Sequence, residues 1–392
     1  MKNNCEESVI NQGEEINNSI KVGIAITPEE KQEIYRFRYQ IYIEEMAKNL
    51  QDADYKNKMI YDELDDWAFL LYAKIGSELI ATARINIGTA SMFPEQLVKL
   101  LSIDKFQDSP PQKSVDQNFS YCAKLMVSPM HRSSPALYLL IAKCYELSVE
   151  HQVQFVFLLC HFYLLRLYEQ IGFHRYTKNV FCPGYGIVNP IVFVPDDAQY
   201  LRKVRSPLFR LARKRKITSY ETINWFHKTF IENSNFINSQ LIEEEELWSI
   251  LTNRLNNSPL QAISLLHGLT EMEAKKFFHA CSSYVQCEAD DVITVQGDIS
   301  YSYDILLKGG LSSLTFQNPP RKYASPGQHF GVNGLTEHNK HIEDIVAIDA
   351  TEILVLSGTA FQKFFHSAPN IAHKIVYNTT KLARERLHRL RS

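Results

Sequence analysis

The sequence predicts two domains of different class: a mixed α+β domain with helices over its sheet, then an all-β roll with flanking helices. Three observations carry this. Residues 21–200 mix strand-like and helix-like segments, the pattern of a mostly covered sheet. From about residue 259 the texture changes to short strands punctuated by Gly-Asp and Gly-Gly turns, as in a roll or barrel. Between them lie a basic run and a helical stretch. The expected boundaries are a disordered lead-in over 1–20, a first domain over 21–210, a connector over 211–258 and a second domain over 259–392.

Taken in order, "WAFLLYAKI" (67–75) and "ELIATARINI" (78–87) read as a β-hairpin turning at Gly76-Ser77. "SYCAKLMV" (120–127) is a further strand. "PALYLLIAKCYELSVEH" (135–151) has apolar residues at helical spacing after Ser-Ser-Pro, a helix start. "QFVFLLC" (154–160) is a buried strand, and "YLLRLYEQIGF" (163–173) a helix closed by Gly172. "GIVNPIVFVPD" (186–196) is a late strand. The connector opens with "RKVRSPLFRLARKRK" (202–216), in which 8 of 15 residues are Lys or Arg and none is acidic. The final helix is basic in its last turns, which suits its dipole.

Composition narrows the function classes. The 392 residues are 45% hydrophobic and 22% charged, enough to bury real cores. A net charge of −2 gives the whole molecule no preference for nucleic acid or membrane, so charge effects must be local. The seven cysteines are scattered and show no CxxC pair, which argues against zinc, or any metal centre, and against a disulfide framework. A reducing cytoplasm fits this usage. The polar N-terminus has no apolar core of a signal peptide. The longest apolar stretch, 155–165, is too short to span a bilayer.

The chemistry of the first domain centres on "VSPMHRSSPAL" (127–137) and "LYEQIGF" (167–173). A strand runs into a tight turn that opens a helix, whose free N–H groups can hold an anion such as a pyrophosphate. Arg132 adds a positive charge, and Ser133, Ser134 and Ala136 are small enough for close backbone approach. Together the two stretches resemble the pyrophosphate loop and the Tyr-bearing helix of the GNAT N-acyltransferases, with Ser134 or Pro135 where Gly is common. The front segments, "YRFRYQIYIEEM" (35–46) and 61–87, resemble the acyl-homoserine lactone synthases and N-acyl amino acid synthases within that family.

The resemblance covers roughly 21–210. It implies transfer of a long acyl chain from acyl carrier protein or acyl-coenzyme A to an amine, as co-substrate and with no permanently bound cofactor. Met126, Val127, Arg132, Ser133, Ser134, Pro135 and Ala136 would hold the donor, and Tyr168 would protonate the leaving thiolate. Arg38, Asp62, Asp65 and Arg84 would shape the acceptor side, or form a structural ion network with no acceptor role. One departure leaves the general base open. Tyr121 stands where that family tends to carry Glu, and Lys124 replaces an Arg as a charge without its fork. Tyr121, a water chain, a backbone carbonyl, Glu169 and His161 remain candidates. The basic run 202–216 would steer an acidic carrier protein or touch anionic lipid. It lacks the aromatic interleaving of a nucleic-acid site.

In the second domain, Gln296, Gly297, Asp298, Tyr303 and Gly309 fall on the pattern of cyclic nucleotide-binding domains, which the region 259–392 resembles. That family's phosphate cassette uses a Glu for the ribose and an Arg for the cyclic phosphate. Here Phe330, Gly331 and Leu335 match, and Asn333 and Gly334 fill the cassette. Val332 replaces the Glu, and the Arg position falls at or near Ile342, followed by Glu343 and Asp344. Loss of one charge-assisted contact costs roughly 1.5–3 kcal/mol, and both anchors are gone. The expectation is a roll that does not bind cyclic nucleotide in the usual way and serves as a docking or dimerising module. Lys340 and His341 are the cations left near the cassette. Two other readings remain: a cyclic AMP-gated protein lysine acyltransferase, and a non-catalytic two-domain regulator.

Overall fold

The computed structural model describes residues 19–51, 53–110, 117–132, 134–215, 219–232, 234–314 and 320–391, with side chains to Glu385. The expected disordered lead-in lies almost wholly outside the described residues, as does Ser133.

The first domain opens with β1 (Lys21–Ile24) and α1 (Pro28–Tyr39). Thr27 caps α1: its hydroxyl accepts from the Glu30 N–H at 3.3 Å, and the Glu30 carboxylate accepts from the Thr27 N–H at 3.1 Å. A π-helical turn, Gln40–Glu45, follows, then a ribbon of β2 (Ala53–Asp54) and β3 (Met59–Ile60) and a 3₁₀ turn, Glu63–Asp66. β4 (Phe69–Ile75) and β5 (Glu78–Gly88) form the expected hairpin, and α2 (Glu95–Leu100), which follows, buries Leu97 in a cluster with Phe119, Phe155 and Phe157. Then come β6 (Phe119–Val127), α3 (Ala136–Glu150), β7 (Phe155–Cys160), α4 (Leu165–Ile171), β8 (Phe173–Arg175), β9 (Val180–Cys182) and β10 (Gly186–Phe193). The sheet order is β1-β4-β5-β6-β7-β10-β8, with β9 on β10. Among the described residues of this sheet, the central β6–β7 pair is the parallel one.

That pair holds only from Phe119↔Phe155 to Tyr121↔Phe157, and then the strands part. Past this point β6 bulges. Ala123 pairs with Arg84 and Met126 with Thr82, so Lys124 and Leu125 together face Ala83. Lys124 takes a left-handed φ of 52°. A bulge of this kind bends the strand and re-aims a side chain. Gly172, at φ +121°, closes α4 where a Cβ would meet Leu201 Cδ2 at 2.2 Å and Phe193 at 3.1 Å. Any side chain there would be strained by the backbone and would have to displace Leu201.

α5 (Ala198–Lys203) and α6 (Phe209–Ala212) carry the basic run. The stretch expected to be a connector divides between the domains. α7 (Glu221–Phe226) places Ile223 and Phe226 in a core with Phe106 and Phe155 of the first domain. α8 (Glu244–Leu255) places Leu247, Trp248 and Leu251 against Phe277 and Phe278 of the second.

The second domain runs α9 (Pro259–Ala262), α10 (Glu271–Cys281), β11 (Ser282–Cys287), β12 (Val292–Thr294), β13 (Ser302–Lys308), β14 (Leu311–Leu314), β15 (Lys322–Tyr323), β16 (His329–Phe330), β17 (Asp344–Ala347), β18 (Thr351–Ser357), α11 (Gly358–Ser367) and α12 (Pro369–Arg391). Two four-stranded sheets, β11-β18-β13-β16 and β12-β17-β14-β15, close the roll. Its interior is continuous with the first domain's core: Leu158 and Phe193 belong to one buried cluster with Leu306, Phe330 and Val355. Polar contacts reinforce this joint. Arg175 donates to the Tyr284 carbonyl at 2.7 Å and to Glu169 at 2.8 Å, and Arg166 donates to Ser239 at 2.7 Å. Among the described residues no helix is long and apolar enough to cross a membrane.

Candidate active site

Arg38 from α1, Asp62 and Asp65 from the 3₁₀ turn and Arg84 from β5 converge although they span residues 38 to 84. Arg38 Nη1 meets Asp65 Oδ2 at 2.8 Å, Arg84 Nη1 meets Asp65 Oδ1 at 3.3 Å, and Arg84 also pairs with Asp62. Asp62 caps the turn by accepting from the Leu64 N–H at 3.0 Å. Burial pushes the Asp65 carboxyl up, but Arg38 and Arg84 outweigh it and hold it below the ordinary carboxylate range. Arg38, Asp65 and Arg84 are buried, whereas the Asp62 side chain remains 31% exposed. The four residues form one network, and Asp62 is its open edge. Nε and Nη2 of Arg38 are buried with no hydrogen-bond partner among the described residues.

The bulge brings Lys124 to this edge. Its Nζ donates to the Tyr185 hydroxyl at 2.6 Å, lies 3.9 Å from Asp62 Oδ2, and faces the rings of Tyr42 and Tyr185 at 5.3 and 5.1 Å. Burial, aided by Arg84, pulls Lys124 down to about 8. Tyr121 has the opposite tendency: burial pushes its phenol up, and its proton stays on. Tyr42 and Tyr185 were missed in the sequence. Nothing local marks them, because the bulge that aims Lys124 at them depends on a left-handed backbone at a lysine.

On the other side of the parted strands lies an apolar cavity of about 30 Å³, lined among others by Cys122, Leu125, Tyr168, Phe173, Phe193 and Leu208. Tyr168 is buried, packs edge-on against Phe173 at 5.5 Å, and burial pushes its phenol well up. In the turn before α3, Ser128 Oγ and His131 Nδ1 are 2.8 Å apart, and the Ala136 N–H donates to Ser134 Oγ at 3.3 Å. Pro135 immediately precedes the helix, and Met126 and Val127 are buried at the end of β6. Arg132 pairs with Glu45 of the π turn and reaches the Val127 carbonyl at 3.4 Å. Its charge is therefore already partnered, which the sequence did not indicate.

Two other candidate bases have different partners. Glu169 is buried against Arg175, with burial pushing it up. His161 follows the end of β7, and burial, aided by Lys48, pulls it down to about 3.

In the roll, Gly331 has φ +68°, and Gly334 lies so close to Ser300 that a Cβ would sit 2.4 Å from its carbonyl carbon. The Val332 carbonyl accepts from Ser300 Oγ at 2.9 Å, and Asn333 Oδ1 accepts from the Leu335 N–H at 2.9 Å. Ile342 is 54% exposed, so its side chain contributes no charge and no donor to the interior. Glu343 is buried and accepts from the Tyr323 hydroxyl at 2.9 Å. Asp298 pairs at 2.6 Å with Lys48 of the first domain, 250 residues away.

A mixed α+β domain whose central parallel strands part beside a buried tyrosine, joined to an all-β roll, is the class of protein these features define. Residues 33–194 match the family model for the N-acyl amino acid synthase FeeM. No curated protein matches the chain. Among solved structures, the chain is similar to FeeM, an N-acyl amino acid synthase from uncultured soil microbes, at 11% identity and a TM-score of 0.38, covering 49% of this chain and 98% of that one. It is similar to TofI, solved with an inhibitor and MTA, at 18% identity and a TM-score of 0.34, covering 48% and 96%. It is also similar to a cyclic nucleotide-binding domain from Methylobacillus flagellatus, at 16% identity and a TM-score of 0.30, covering 37% and 79%.

Proposed function

We propose that the protein moves an acyl group from the thioester of acyl carrier protein or acyl-coenzyme A to the amine of an amino acid. The observation that carries this reading is the parting of β6 and β7, with the Tyr168-lined apolar cavity on one side and the Asp62–Lys124 edge on the other. The acyl chain enters the cavity, and the acceptor ammonium sits against Asp62. Lys124 in its neutral form takes a proton from that ammonium. The freed nitrogen attacks the thioester carbonyl, the C–S bond breaks, and the sulfur leaves as a thiol with the proton of the Tyr168 hydroxyl, which burial keeps protonated until then and which the second proton given up by the nitrogen restores. Arg38, Asp65 and Arg84 hold the edge in place. Tyr121 cannot serve as the base with its proton retained.

A carrier-protein donor is supported by Arg202, Lys203, Arg205, Arg210, Arg213 and Lys214, all exposed on and beside α5 and α6. Leu208 of the same segment lines the apolar cavity, so an acidic partner steered there arrives beside the acyl site. The roll, without Glu or Arg anchors, acts without cyclic nucleotide.

The test is mass spectrometry of the purified protein with acyl donors on carrier protein and coenzyme A, pooled amino acids as acceptors, with and without cyclic AMP. An N-acyl amino acid that is lost in Tyr168→Phe and indifferent to cyclic AMP is the expected result. No product with any donor would leave a non-catalytic regulator. A product formed only with cyclic AMP would restore the sensor.

A further inference from the structure

A second cavity, polar and of about 80 Å³, lies between the domains. At 10–15 Å³ each it has room for roughly five to eight waters, or for a small organic ion. The roll contributes Asp304, and the first domain contributes Lys48. Asp304 is 5% exposed. One of its oxygens accepts from Ser302 Oγ at 3.1 Å, and Oδ1 is buried without a partner. Among the described residues no Lys, Arg or His forms an ion pair with it, since Lys48 is held by Asp298 at 2.6 Å. Aromatic side chains complete the wall: Phe162, Tyr163, Tyr185 and Tyr301, with Tyr163 and Tyr301 stacked at 5.0 Å. A buried carboxyl with a vacant acceptor beside aromatic rings is the chemistry that recognises an ammonium group.

We propose that this interdomain cavity binds a small primary ammonium ion, whose N–H groups donate to Asp304 Oδ1. Anions are disfavoured by the carboxyl and by the want of an arginine among the described lining residues. The proposal does not rest on acyl transfer, because binding is read with no donor present. Its consequence reaches the active site through one chain of contacts. Lys48 also donates to the Tyr185 carbonyl at 3.3 Å, and the Tyr185 hydroxyl accepts from Lys124 at 2.6 Å.

Burial pushes Asp304 up to about 7, opposed only by the Ser302 hydrogen bond. The ammonium needs the carboxylate, so affinity follows its ionised fraction. The other titratable groups on the cavity wall are Lys48, Asp298, His161, His341 and the three tyrosines. Burial holds His161 neutral, down to about 3, and pushes Tyr301 up to about 12 and Tyr163 and Tyr185 further.

The experiment is calorimetric titration of the full chain with ethylammonium, with propionate and cyclic AMP as comparison ligands, at pH 6 and pH 8. Ethylammonium is expected to bind the wild type about tenfold more tightly at pH 8 than at pH 6, the ratio of ionised fractions for a group titrating near 7. Asp304→Asn is expected to lose the site, and His341→Gln to keep both the site and its pH step. The pH step in the wild type tests the idea even if Asp304→Asn fails to fold. Equal heats in wild type and Asp304→Asn would assign the amine to the acceptor edge and overturn the proposal. So would tighter binding of propionate or cyclic AMP, a pH step that vanishes only in His341→Gln, or no binding at millimolar ethylammonium.

Discussion

At the scale of single residues, Lys124 decides the chemistry. A lysine lowered to about 8 is charged below that pH and neutral above it. As a base it works only when neutral, so turnover should rise with pH and level off above about 8. Lys124→Gln should lower kcat by roughly 10²–10⁴-fold, the usual contribution of a positioned base, and remove the inflection near 8. A pH–rate profile of both proteins on one donor and acceptor checks this; an unchanged inflection would place the base elsewhere. Arg38 makes a contrasting case. It is fully buried and its partner Asp65 is 1% exposed, so Arg38→Met leaves that buried carboxylate with Arg84 as its remaining cation and should cost about 1.5–3 kcal/mol of stability. Asp62→Asn, at the exposed edge, should instead raise KM for the acceptor with little change in melting temperature. Thermal unfolding and acceptor titrations of the two variants separate the roles.

At the scale of elements, most of the fold was legible because its signals are local. The hairpin turning at Gly76-Ser77, the helix after Ser-Ser-Pro and the stop at Gly172 each follow from turn and cap chemistry, and each stands within two residues of its expected place. The site was legible as far as charge goes: Arg38, Asp62, Asp65 and Arg84 do meet. The bulge at Lys124 was not, since a left-handed lysine carries no sequence mark. Nor was the Glu45 partner of Arg132, which lies 87 residues away. The division of the 211–258 stretch between two cores also escaped, because apolar spacing shows that a helix buries a face and not against which neighbour. The basic α5–α6 segment yields its own prediction. Arg202→Glu with Arg205→Glu and Arg210→Glu should raise KM for acyl carrier protein at least about tenfold and leave an acyl-pantetheine donor unaffected, with the difference shrinking in high salt. Equal effects on both donors would mean the segment shapes the cavity through Leu208 and does not dock the carrier.

At the scale of the molecule, the two domains share a core, and this sets how they should unfold. Leu158 and Phe193 sit in the same buried cluster as Leu306, Phe330 and Val355, so the halves should melt together. Arg175 is the most buried cation among the polar ties across that joint described above, with Lys48–Asp298 a second. Its guanidinium serves Glu169 in its own domain and the carbonyls of Ile237 and Tyr284 outside it, and it is 5% exposed. Removing it leaves Glu169 buried without its cation and two carbonyls without a donor. A broken buried pair costs about 3–5 kcal/mol because one charge stays behind. The loss falls on the joint, so Arg175→Met should split a single calorimetric transition into two, one for each domain. Adding Glu169→Gln removes the stranded charge while leaving the carbonyls unserved. That double variant should recover part of the stability and still show two transitions. Differential scanning calorimetry of the three proteins reads both effects. A single transition in Arg175→Met would mean the shared apolar core and the remaining polar ties couple the domains without it, and full recovery in the double variant would mean the carbonyl contacts contribute nothing to the coupling.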